Sequence, residues 1–176
     1  MLTKTKYFTN LIAFNIAWWA LMLTAPNPHP TTRLIGPIVA VLVLALHFFW
    51  VSVNKKKDLY EVLVIAALGI ILDSTLNITG VLTFTGIQGF LVPLWLIFIW
   101  PLFATLISYT FVVIRNKLIN QIIVGGLFAP FSYITGAKLG LLTINLDFKI
   151  YYIIHALCWV VFFPLCFKIS KKIKGY

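Results

Sequence analysis

Acidic side chains are almost missing from this chain. Among 176 residues only Asp58, Glu61, Asp73 and Asp147 carry one, against 14 Lys and Arg, and charged residues of both signs make up 10% of the total. An ordinary soluble domain carries about 25%, so a conventionally solvated surface is excluded. Cysteine is nearly absent too. Cys158 and Cys166 lie in one apolar run roughly 12 Å apart along a helix, too far to bridge, and two isolated thiols form no metal pattern. Catalytic signatures are missing as well: there is no Gly-x-Ser-x-Gly elbow, His-x-x-x-His pair, phosphate loop or Cys-x-x-Cys. The sequence therefore offers no metal, no cofactor and no motif that names an enzyme. The net charge of +10 would suggest nucleic acid in a soluble protein. Here the basic residues stand in short clusters between apolar runs, a pattern that orients helices and attracts anionic headgroups, and nucleic acid is not the expected partner.

What is present is hydrocarbon: 61% of the residues are hydrophobic and the mean hydropathy is +1.01. Six apolar runs, at about 8–25, 34–53, 60–78, 91–114, 118–144 and 150–169, approach or exceed the ~20 residues that cross a bilayer. Such segments must be helical, because lipid leaves open strands unsatisfied. The poor small-x-small site at Leu23-Thr24-Ala25, followed by Pro26, favours a retained first helix over a cleaved signal. Lys4, Lys6, Lys55 to Lys57, Arg115, Lys117, Lys168, Lys171, Lys172 and Lys174 fall on one side of the runs and Arg33 and Lys149 on the other. This asymmetry predicts an all-α bundle of six transmembrane helices with both termini cytoplasmic, forming one domain without a soluble module or an internal repeat. The uncharged connection 80–92, rich in Gly and Thr, reads as an interfacial loop or a re-entrant lid. The six Trp read mostly as belt or packing residues.

Ionisable groups inside a bilayer are expensive and therefore informative. Asp73 lies roughly 20 Å from the start of the third run and His155 roughly 7 Å inside the outer end of the sixth, which puts both in the outer third. Lys138 falls nearer the outer surface, with a stem long enough to reach back. Gly69, Asp73 and Asn77 are spaced by four and share a helix face, with Ser74 beside them. The expectation is a site around Asp73, with Lys138 or His155 as its charged partner. Gly136 and Gly140 read as a small-residue face against a neighbouring helix. His47 reads as an interfacial residue.

Three stretches carry a resemblance. Gly69-Ile-Ile-Leu-Asp73-Ser-Thr-Leu with Gly80-Val-Leu-Thr-Phe84, Pro93-Leu-Trp95-Leu-Ile-Phe-Ile-Trp100-Pro-Leu-Phe103-Ala-Thr105-Leu, and Ala129-Pro130-Phe-Ser-Tyr133-Ile-Thr-Gly136-Ala-Lys138-Leu-Gly140 together resemble a bacterial family of small inner-membrane proteins known only as a domain of unknown function. The resemblance implies a multi-pass protein of the bacterial inner membrane, encoded beside enzymes similar to cyclopropane fatty-acid synthases and flavin-dependent oxidoreductases. It matches Lys138 to a basic residue of the family pattern, and departs from it at Ser108-Tyr109, where the family has a polar pair with histidine. The leading expectation is a protein linked to membrane-lipid metabolism that binds or moves a lipid or small amphiphile, or scaffolds a lipid-modifying enzyme. Its candidate ligand-binding residues are Asp73, Ser74, Asn77, Tyr133, Lys138 and His155, and its expected partners are membrane lipids and a lipid-modifying enzyme or membrane subunit. The alternatives are a substrate-binding subunit of a small-molecule transporter, an intramembrane enzyme using Asp73, His155 and Lys138, and a structural assembly factor.

Overall fold

The computed structural model describes residues 4–86 and 90–175. Six helices follow one another: α1 (Lys4–Thr24), α2 (Pro30–Leu46, prolonged by a π-helical turn His47–Val51), α3 (Lys55–Ile78), α4 (Leu94–Tyr109, followed by a 3-10 turn Phe111–Ile114), α5 (Leu118–Lys138) and α6 (Phe148–Lys174). Five of these, all but α4, are long and apolar enough to cross a membrane. Large apolar side chains such as Ile12, Leu42, Ile123 and Val161 are left exposed on the outside of the bundle, where a bilayer is their natural solvent.

The helix starts follow local chemistry. Pro30 opens α2, where its missing N–H is harmless. Asn54 caps α3 by accepting from the Lys57 amide at 3.2 Å, and Asp147 caps α6 by accepting from the Lys149 amide at 2.9 Å. These caps lengthen α3 and α6 beyond their apolar runs. The fourth and fifth runs are cut short instead. Residues 142–144, expected to continue α5, form strand β2 (Leu142–Ile144), which pairs antiparallel with β1 (Leu82–Phe84).

Two similar helix ends explain this ribbon. α3 stops where Val81 N–H reaches the Leu76 carbonyl and Gly80 N–H the Asn77 carbonyl; α5 stops where Leu141 N–H reaches Gly136 and Gly140 N–H reaches Ala137. Both are Schellman closures with glycine in the left-handed region, at φ +74° and +77°. The chain then reads Gly80-Val-Leu-Thr-Phe84 in one case and Gly140-Leu-Leu-Thr-Ile144 in the other. This is a short repeat, and its two copies pair about Thr83 opposite Thr143. The expected role of Gly140 is thereby corrected. It ends the helix, with open space where a Cβ would stand, while Gly125 and Gly126 are the positions where α5 lies against Trp159, Val160 and Phe163 of α6. The expected lid or re-entrant segment at 80–92 is in part this ribbon, and residues 87–89 lie outside the described residues.

Packing joins neighbours in pairs, α1 with α2, α3 with α4 and α5 with α6, and α4 also touches α1, α2 and α6. Shortest of the six, α4 has ten of its 16 residues buried, and α1, α2, α3 and α6 pack against it. α1 and α5, by contrast, hardly touch each other.

Candidate functional site

The site grows from one face of α3. Gly69 has no side chain because the Trp100 indole of α4 lies across it, and a Cβ built there would meet the ring at 2.0 Å. One turn on, Asp73 Oδ2 accepts from that indole's Nε1 at 2.7 Å, and its Oδ1 accepts from the Tyr133 hydroxyl of α5 at 2.6 Å. A further turn on, Asn77 Oδ1 accepts from the Phe84 amide of β1 at 3.3 Å. The spacing by four thus seats a ring, orients it, and ties the helix to the ribbon. Asp73 and Tyr133 stand equally far before Thr83 and Thr143, so the hydrogen bond between them joins equivalent positions of the repeat.

Asp73 is fully buried. Among the described residues no salt bridge reaches it, and both its oxygens accept from neutral ring donors. The expected pairing with Lys138 or His155 is therefore corrected. Lys138, the last residue of α5, is exposed. His155 is fully buried and lies against Tyr133, with ring centroids 4.2 Å apart, so it meets Asp73 only through that tyrosine. Neither of its ring nitrogens has a hydrogen-bond partner among the described residues, and the same holds for Ser74 Oγ and Trp159 Nε1. Buried polar atoms without partners are unusual, because such groups are nearly always satisfied.

Trp100 and Tyr133 form part of the wall of a cavity of about 400 Å³ enclosed by α1, α4, α5 and α6. Its lining is dominated by rings, among them Trp18, Trp95, Phe103 and Trp159. Trp100 and Trp159 stack at 5.8 Å with planes 12° apart, and Phe103 meets each of them edge-on at 5.6 Å. The lining runs from Trp95 to Leu106 on α4 and from Val124 to Gly136 on α5, rises of roughly 16 Å and roughly 18 Å, so the space is elongated along the helices. Met22, Trp95 and Leu142 close it at the ribbon end. Asn15 and Phe128, both exposed, flank it between α1 and α5, where the bundle is open sideways.

Two features lay beyond sequence reasoning. Four of the six tryptophans line this cavity rather than forming a belt, while Trp19 and Trp50 remain exposed. At the other end of α3 stands a second acid site. Lys174 Nζ pairs with Asp58 and, at 2.9 Å, with Glu61; Tyr109 donates to Asp58 at 2.5 Å, and Ser108 donates to Glu61 at 2.6 Å while lying 2.8 Å from Ser170. Asp58 and Glu61 are 1% and 2% exposed. The only hint in the sequence was their spacing of three on one helix face. His47 is likewise buried rather than interfacial, with Nδ1 2.8 Å from Asn10 Oδ1.

Compared with known proteins, the chain matches the family described as Protein of unknown function (DUF2878) over residues 7–165. It belongs to that family. No curated protein and no solved structure matches it. The DUF2878 match takes in Gly69, Asp73, Trp100, Tyr133, His155 and Trp159 and stops short of Ser170 and Lys174. The aromatic cavity is thus built wholly from family sequence, while the ammonium that answers the second acid site is contributed from beyond the match.

Proposed function

We propose that this protein takes an amphiphile or a single lipid chain sideways out of the bilayer into the aromatic cavity. In this reading all six helices span a bacterial inner membrane, both termini and the Lys174 cluster face the cytoplasm, and the ribbon lies at the outer surface. The work belongs to membrane-lipid metabolism, as binding, movement or presentation of the guest to a lipid-modifying enzyme.

The observation that carries the reading is the shape and position of the cavity. At about 400 Å³ it falls in the range of small-molecule sites, which are mostly apolar with a few placed polar groups. It is long, narrow and parallel to the helices, as an extended hydrocarbon chain in a leaflet is. Its side opening faces the apolar flank of the bundle, so a guest enters without crossing water. The rings offer broad contact at low conformational cost, and Trp159 Nε1, buried without a partner among the described residues, gives a guest's polar end a donor.

A photo-crosslinkable amino acid placed at Ser132, which lines the cavity, tests this in membranes. The expected result is capture of a lipid or amphiphile that the same group at Leu157, exposed on the outside of α6, does not enrich. Identical lipid profiles from both positions would overturn the proposal.

A further inference from the structure

We infer that the guest of this cavity carries a positive charge: an amine-bearing or quaternary ammonium amphiphile whose cationic end sits against Trp159 and Tyr133, with Trp100 packed behind Trp159. The inference rests on the reading of the cavity as an amphiphile site and adds the chemistry of the guest.

Three observations converge on it. First, Asp73 is a fully buried acid with no cation. Both oxygens accept hydrogen bonds, from Trp100 Nε1 and the Tyr133 hydroxyl, an arrangement suited to a carboxylate, and no salt bridge among the described residues answers it. A charge held at this depth is expensive unless paired, and an uncharged asparagine would fit the same space. Second, no Lys or Arg lines the cavity among the described residues, so none of them supplies a cation at the wall or repels one there. Third, the wall between Asp73 and the cavity is made of indole and phenol rings. Cations bind best to the faces of such rings, tryptophan above all.

The hydrogen bonds make these rings better cation hosts than isolated ones. A carboxylate accepting from an indole N–H and from a phenol O–H pushes electron density into both rings, since linked hydrogen bonds polarise one another. Asp73 need not touch the guest; its charge is delivered through Trp100 and Tyr133. Trp159, stacked on Trp100 at 5.8 Å, extends the electron-rich surface into the cavity. The exposed amide of Asn15 at the side opening gives an entering headgroup a polar contact on the way in. An anionic headgroup would find the reverse, a negative field and no counterion, so anionic lipids that carry no ammonium group are disfavoured as occupants.

The test uses the full chain in nanodiscs of phosphatidylglycerol, a lipid that carries no ammonium group. Tryptophan fluorescence is titrated with a long-chain alkyl trimethylammonium and with its uncharged isostere, in which carbon replaces the nitrogen. The protein is expected to bind the cation at least tenfold more tightly than the isostere, after subtraction of partitioning into empty nanodiscs. Asp73→Asn keeps an acceptor for one donor and is expected to abolish that preference by weakening cation binding alone. Trp159→Leu leaves both partners of Asp73 in place and is expected to reduce the preference several-fold, which keeps the inference testable should the asparagine variant fail to fold. Equal binding of both probes by the native protein, or a preference that survives Asp73→Asn or Trp159→Leu, overturns the inference while leaving the cavity reading intact. Binding of neither probe overturns both.

Discussion

Helix α3 carries two buried acid sites about 18 Å apart, and they are finished in opposite ways. At its first turns Asp58 and Glu61 are answered by the ammonium of Lys174 and by the hydroxyls of Tyr109 and Ser108. Near its other end Asp73 receives two ring donors and, among the described residues, no cation. The first site is complete within the chain and fastens α6 to α3. Asp73 stands behind the wall of a cavity, on the far side of its two donors Trp100 and Tyr133, which line that cavity. A charge closed internally reads as architecture, whereas one left open beside a cavity reads as recognition.

The comparison breaks most readily at Lys174. Lys174→Met leaves Asp58 and Glu61 buried without their cation, and losing one partner of a buried ion pair destabilises by about 3–5 kcal/mol. Lys138→Met, at an exposed position, should change stability by less than about 0.5 kcal/mol. Unfolding in detergent measures both, and equal effects would mean that the Lys174 cluster does not hold the bundle. Next in size is Gly69→Ala. A Cβ there collides with the Trp100 ring, and overpacking of this kind destabilises by about 1–3 kcal/mol. Because the ring must move, the near-ultraviolet circular dichroism of the tryptophans should change as well; a variant as stable as the native protein with an unchanged spectrum would remove the seat assigned to Trp100. Smallest is Gly140→Ala. It meets no neighbouring atom, and the left-handed backbone alone sets a destabilisation of about 1 kcal/mol. A much larger effect would point back to close helix packing at this position.

Much of the architecture was legible because lipid enforces it. Apolar runs separated by basic clusters give the helices, and the spacing of Gly69, Asp73 and Asn77 gives a functional-looking face. The partners of that face were not legible. Sequence reasoning sought a cation for Asp73 and found Lys138 and His155 at suitable depths, but depth along a helix does not fix rotation about it, and the nearest donors proved to be Trp100 and Tyr133. The ribbon was hidden for another reason. Residues 142–144 are as apolar as a helix interior, and only the glycine at 140, matched by the one at 80, marks the break. Lys174 was hidden by its place in a run of basic residues, where a solvated or lipid-facing lysine is the ordinary reading.

The most direct test of the account is to count amphiphiles held by the purified protein. Native mass spectrometry from mild detergent should find one small amphiphilic molecule per chain on the native protein. Ser132→Trp, which fills the cavity from α5 and replaces neither Asp73 nor its donors, should fold with native stability and carry none. Retention of the same molecule by Ser132→Trp, or its absence from the native protein after the mildest extraction, would contradict the claim that this cavity is where the protein meets its ligand.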